Sequence, residues 1–186
     1  TVALNNNVLV NLSTAAGTGL TVAYRRSTAT LTSYANSSNN NDFFAGTPSA
    51  TNLIFNDGTN SDQTLAAYKA RVATRDSASV SENPPFLSTS GASANFLHID
   101  PAVATQLESG GAPFAGVSVD FDGATRNAST PDIGADEFNG IVLDLNGPTI
   151  SYALLGNTTQ TSNRTLVATI NDPSGVASGA TAPRVY

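Results

Sequence analysis

Runs of three to five residues rich in β-branched and aromatic side chains recur along the first third of the chain. Val8-Leu-Val10, Leu20-Thr-Val-Ala-Tyr24, Thr30-Leu-Thr-Ser-Tyr34, Asp42-Phe-Phe44 and Leu53-Ile-Phe55 each carry the residues that favour a pleated, half-buried strand. Clusters of Asn, Gly, Ser and Thr separate them, at Asn5-Asn-Asn7, Ala16-Gly-Thr-Gly19, Asn36-Ser-Ser-Asn-Asn-Asn41 and Asn56-Asp-Gly58. These residues supply left-handed and Asx-type turns at little steric cost. Short strands with no helices between them exclude a doubly wound parallel sheet. Two all-β arrangements remain, a sandwich and a solenoid.

The Asn triplets at 5–7 and 39–41 each precede an apolar pair, Val8-Leu9 and Phe43-Phe44. That repetition favours the solenoid, in which turn residues recur in register and Asn amides stack along the pile. One helix interrupts the pattern. Ser61 reads as its N-cap, with Asp62 at the positive end of the helix dipole. Leu65, Tyr68 and Val72 share a face, and Lys69, Arg71 and Arg75 gather toward the C-terminal end. The expectation is an amphipathic helix of about three turns packed on the β body. Further on, Asn95-Phe-Leu-His-Ile-Asp100 alternates, which would put Phe96, His98 and Asp100 on one face of a strand.

Composition removes whole classes of function. The chain has no Cys, so there is no disulfide framework, thiolate nucleophile or zinc knuckle. One histidine, His98, excludes multi-histidine metal sites. Eight basic residues against 14 acids, at a pI near 4.4, exclude phosphate neutralisation as a binding mode and hence a nucleic-acid partner. No apolar run reaches the roughly 18–20 residues that span a bilayer. The N-terminal residues carry no initiator Met, basic region or apolar leader, and Pro183-Arg-Val-Tyr186 reads as the start of a strand. The sequence therefore reads as an internal piece of a longer chain.

The densest polar chemistry lies in Asp120-Phe-Asp-Gly-Ala-Thr-Arg126 and Pro131-Asp-Ile-Gly-Ala-Asp-Glu-Phe138. Asp120 and Asp122 before Gly123 could open a calcium loop, since hard oxygen ligands two residues apart can wrap a cation. Ala124 and Pro131 occupy the positions where an EF-hand needs further ligands, so that motif fails. Structural carboxylates, a calcium site and a catalytic acid pair all remain open. Asp76-Ser-Ala78, after the helix, resembles a short O-glycosylation motif of some Gram-negative secreted proteins, with Ser77 as acceptor. Formal N-glycosylation sequons begin at Asn11, Asn36, Asn127, Asn157 and Asn163, as chance dictates in so Ser/Thr/Asn-rich a chain.

Asp120-x-Asp-Gly-x-x-Arg126 followed by Asp132-Ile-Gly-Ala-Asp-Glu-Phe138 resembles the closing segment of right-handed parallel β-helix domains, pectate-lyase-like in fold, in large secreted bacterial proteins. Asn41–Pro48 and Leu53–Asn60 resemble the late coils of the same group. The resemblance covers about residues 1–139. It implies an acid–Arg lock, with Asp120 or Asp122 on Arg126 and with Asp132, Asp136 and Glu137 tying down turns. After a linker near Asp144–Pro148, Thr149–Leu155 and Arg164–Asn171 read as strands around a polar loop, with a turn at Asp172–Val176. They look like the first strands of an immunoglobulin-like sandwich, incomplete because such a domain needs about 100 residues.

The expected architecture is thus a parallel β-helix over 1–139 and a truncated Ig-like module over 140–186. The expected function is a non-catalytic structural or adhesive segment of an extracellular bacterial surface protein, similar to adhesins exported by the type 9 route and moved during gliding. Its partners would be other domains of the same chain, neighbouring copies or surface polysaccharide. A first alternative is the tail of a β-helix polysaccharide lyase or glycoside hydrolase using Asp120, Asp122, His98 and Arg126. A second is a carbohydrate-binding module presenting Tyr24, Tyr34, Phe43 and Phe44.

Overall fold

A computed structural model describes residues 1–159, 161–172 and 175. The chain divides into two compact units, Thr1–Leu143 and Asp144–Tyr186. Strands β1 (Val8–Val10), β2 (Thr21–Arg25), β3 (Asp42–Phe44), β4 (Asn52–Asn56) and β5 (Ser61–Asp62) precede helix α1 (Leu65–Val72). Strands β6 (Ala104–Thr105) and β7 (Ile141–Val142) follow in the same unit. The second unit holds β8 (Thr149–Tyr152) and β9 (Ala168–Asn171). The run expected as a strand at 30–34 is a 3₁₀ turn, Leu31–Ser33, instead.

These strands make four small sheets. β1 pairs with β3, β2 with β4, and β6 with β7, all parallel, whereas β4–β5 and β8–β9 are antiparallel. Parallel β-helix architecture is therefore not what the chain adopts. The sheets have two or three strands, mix both directions, and do not continue as a solenoid. The offset between paired residues also changes from sheet to sheet, Val8 with Asp42, Thr21 with Asn52 and Ala104 with Ile141, so no constant coil length exists. The resemblance to pectate-lyase-like domains is overturned with it.

The Asn pattern has a local role in place of a global one. Asn6 and Asn40 both sit at positive φ, 54° and 55°, the left-handed turn that Asn tolerates. Asn7 donates from its backbone and its side-chain amide to Asn41 Oδ1 (3.0 and 3.1 Å), and Asn41 Nδ2 donates to Leu4 O (2.9 Å). The two triplets thus fasten the neighbouring turns that lead into β1 and β3.

Helix α1 is shorter than expected. Thr64 is its N-cap, accepting from Ala67 N–H through its hydroxyl (3.3 Å), while Ser61 and Asp62 form β5. Asp62 is held by a two-pronged contact with Arg71, Nε–Oδ2 2.5 Å and Nη2–Oδ1 2.7 Å, so sheet pairing and an arginine, not the helix dipole, use its charge. Tyr68 and Val72 are fully buried. They join Phe43, Ile54 and Phe55 in one apolar cluster, with Leu9, Tyr24 and Leu65 packed at its edge. The Tyr68 ring meets Phe43 and Phe55 at 5.2 Å, in tilted and edge-on geometries that favour aromatic pairs.

A buried carboxylate closes this cluster. Asp76, fully buried and at φ 53°, accepts from Tyr34 Oη (2.5 Å), Tyr68 Oη (2.7 Å), Asn41 Nδ2 (2.9 Å) and Ser79 Oγ (2.8 Å). Burial, with the neighbouring Asp76, pushes both tyrosine hydroxyls well above their ordinary range, so they remain donors. A second, smaller cluster joins Ile99, Leu107 and Ile133, with Val8, Val80, Phe86 and Phe138 against it.

In the second unit, β8 and β9 form a lone hairpin whose residues, Ile170 aside, are all exposed. The described residues of this unit hold one two-stranded sheet and so form no immunoglobulin-like sandwich. Part of the expected turn at 172–176, and the expected strand at 183–186, lie outside the described residues. No helix among the described residues is long and apolar enough to cross a membrane.

Candidate functional site

The chain between Ser93 and Asp100 does not run as a strand. Leu97 adopts φ 59°, which breaks the alternation, and His98 N–H closes a turn on Asn95 O (3.3 Å). Phe96, His98 and Asp100 therefore do not share a strand face. Bonds from Leu87 N–H to His98 O (2.8 Å), Leu97 N–H to Ser88 O (2.7 Å) and Asp100 N–H to Pro85 O (2.8 Å) dock this turn on residues 85–88. Ile99 sinks into the second apolar cluster, next to a partly exposed His98.

The acidic segment meets this turn. Asp120 Oδ1 accepts the N–H groups of Asp122 (3.0 Å) and Ala124 (2.8 Å), forming an Asx-type turn that ends on Gly123 at φ 88°. Asp120 Oδ2 accepts Glu137 N–H (3.0 Å) and so ties the turn to the chain leaving it. Burial pushes the Asp120 carboxyl up, but these N–H bonds outweigh it and hold the group below the usual carboxylate range. Oδ1 thus accepts two backbone N–H groups and Oδ2 one, so the carboxylate holds this turn together.

Asp132, Glu137 and Arg126 complete a second knot. Asp132 accepts from Ser109 N–H and Phe138 N–H (both 2.7 Å). Burial raises its carboxyl to about 6, against those two bonds and aided by the charges of Glu108 and Glu137. Glu137 accepts from Asn127 N–H (2.7 Å) and Asp132 N–H (3.0 Å), and pairs with Arg126 at 3.3 Å. Arg126 also donates to Asp132 O (3.2 Å) and Gly134 O (2.6 Å). Its ionic partner is thus Glu137, not Asp120 or Asp122 as the resemblance implied: the Asx turn consumes Asp120, and Asp122 faces His98.

His98 and Asp122, two of the residues named for the lyase or hydrolase alternative, lie together, and Asp136 joins them. His98 Nε2 lies 3.3 Å from Asp122 Oδ2, and His98 Nδ1 lies 3.4 Å from Asp136 Oδ1. Asp136 is nearly buried and its other oxygen accepts Ile99 N–H (2.9 Å). The Phe121 ring packs 5.1 Å from the imidazole. Asp136, which the resemblance assigned to tying down a turn, is distant from His98 in the chain, and no local spacing signals their meeting.

The other candidates lie elsewhere. Ser77 is exposed, with Lys69 Nζ on its carbonyl (3.0 Å), beside the buried Asp76. Tyr34 and Phe43 are buried and Tyr24 and Phe44 partly so, which withdraws the aromatic surface that a carbohydrate-binding module would need. A cavity of about 580 Å³ opens between the Asn5–Asn7 turn, Phe114, Val117 and Pro131; Arg126 is its one charged lining residue. No family model, no curated protein and no solved structure matches this chain.

Proposed function

We propose that the chain is a non-catalytic structural segment of an extracellular bacterial surface protein. One observation carries this reading: Asp120, Asp132 and Glu137 each use both oxygens on backbone amides or Arg126, and so hold turns. A glycoside hydrolase would need two carboxyl groups flanking a cleft at roughly 5–10 Å. The 580 Å³ cavity has no Asp, Glu or His among its lining residues. The low charged share of 12% and the absence of Cys suit an extracellular spacer that neither binds nucleic acid nor depends on thiol chemistry. The exposed Ser77 gives this surface one candidate O-glycosylation position.

The test has two arms. Protease added to intact cells of the source organism should release peptides of this chain, and purified chain incubated with uronate-containing and neutral polysaccharides should yield no new reducing ends or unsaturated products. Retention of the chain behind the cell envelope removes the surface assignment. Product formation that disappears in His98→Gln or Asp122→Asn replaces the structural reading with the lyase or hydrolase one.

A further inference from the structure

We propose that His98 and Asp122 form a binding site for a zinc-class divalent transition cation, with Asp136 holding the imidazole in the metal-binding tautomer. The site is independent of the spacer role. Its case begins with the separation of the two ligand atoms. An imidazole nitrogen about 2.0–2.1 Å and a carboxylate oxygen about 2.0–2.2 Å from a tetrahedral ion stand about 3.3–3.4 Å apart. His98 Nε2 and Asp122 Oδ2 stand 3.3 Å apart, which matches that separation.

Both ligands are positioned by their immediate neighbours. Ile99 is buried in an apolar cluster and gives its N–H to Asp136, which fixes the chain on one side of the imidazole. Asp122 N–H is held by Asp120 Oδ1, and Ala124 N–H by the same oxygen, which fixes the turn that presents the second carboxylate. The partners are therefore set in place before any ion arrives, which lowers the ordering cost of binding.

The role of Asp136 follows from the two ends of the ring. With Nε2 on the ion, Nδ1 carries the proton, and its partner at 3.4 Å is Asp136 Oδ1. A carboxylate behind a metal-bound imidazole sets the tautomer and raises the basicity of the ligand nitrogen. Asp136 is nearly buried while the side chain of Asp122 is 48% exposed, so the inner carboxylate suits orientation and the outer one suits coordination. Water completes the coordination shell on the open side. The nitrogen donor selects a zinc-class ion over calcium, which takes oxygen ligands.

His98 is the only histidine in the chain, so its imidazole resonances report on the site without ambiguity. In untagged protein titrated with zinc chloride, the His98 imidazole nitrogen signals should shift and the melting temperature should rise, while calcium chloride should leave the imidazole unmoved. His98→Gln and Asp122→Asn should each abolish the zinc-dependent rise in melting temperature. Asp136→Asn should weaken zinc binding by about 10–100-fold without abolishing it. Zinc at millimolar concentration that leaves the wild-type His98 signals in place overturns the proposal, whatever the variants do. So does His98→Gln protein that binds zinc as well as wild type. A calcium-dependent rise in stability with His98 unmoved would assign Asp122 to an oxygen-only site and equally defeats it. Asp136→Asn binding as tightly as wild type removes the orienting role.

Discussion

Residues 1–81 and 82–143 solve the same problem by different means. The first stretch has enough aromatic and aliphatic side chains to bury Phe43, Phe55, Tyr68 and Val72 together, with the carboxylate of Asp76 accepting the Tyr34 and Tyr68 hydroxyls at the edge of that cluster. The second stretch buries only Ile99, Leu107 and Ile133 as a core. Its irregular backbone is ordered by Asp120, Asp132, Asp136 and Glu137, each accepting main-chain N–H groups from distant residues. Fixing one residue's backbone costs roughly 1–2 kcal/mol, and a hydrogen bond to a charged acceptor returns about 1.5–3. A carboxylate with several N–H partners can therefore stand in for a missing apolar core, and it makes that stretch depend on single polar residues.

The comparison can be broken first at its apolar end. Tyr68→Ala removes a fully buried ring and leaves Asp76 short of a donor, and should cost about 4 kcal/mol in denaturant unfolding. A cost below about 1 kcal/mol would show that this cluster is not the main store of stability. Arg126→Ala comes next, at about 3 kcal/mol, because it strands Glu137 and the carbonyls of Asp132 and Gly134 in a nearly buried site. Hydrogen exchange sharpens the contrast: amides of Ser109, Asp132 and Phe138 should lose protection in this variant, while those of Phe43 and Phe55 keep theirs.

A pH series tests a third, smaller effect. Asp42 is fully buried; its Oδ1 accepts Glu82 N–H (2.9 Å), and its Oδ2 has no partner among the described residues. Burial raises its carboxyl to about 7, against the bond from Glu82 N–H and with the nearby Glu82 charge adding to the rise. The native state then keeps a proton that the unfolded chain releases near pH 4, so stability is full below that point and falls as pH rises to about 7. Asp132, raised to about 6, adds a decline of the same sign. Asp42→Asn should flatten the curve by on the order of 2 kcal/mol across that window. An unchanged slope would show that water reaches the carboxylate. The smallest effect is Thr64→Ala, which deletes the α1 cap and should cost about 1 kcal/mol by thermal unfolding.

Several local features were legible in the residues. Val8–Val10 and Asp42–Phe44 are strands at the bounds their β-branched and aromatic content suggested, and Leu65, Tyr68 and Val72 do turn one face of the helix inward. The start of the helix was misplaced because a serine followed by an aspartate looks like a cap, and only sheet pairing with Phe55 and Asn56 reveals Ser61 and Asp62 as a strand. Repeating Asn triplets suggested an unending stack. They fasten one pair of turns, since strands of two to five residues with shifting registers cannot propagate one.

By itself the sequence determined where the chain turns, where it is apolar, and which residue types could do chemistry, because those properties depend on side chains and near neighbours. Only the tertiary structure decided which acid meets which partner. A carboxylate is satisfied equally well by any N–H it can reach, and reach across tens of residues is set by how the loops pack. Arg126 finding Glu137, and His98 finding Asp122 and Asp136, are outcomes of that packing.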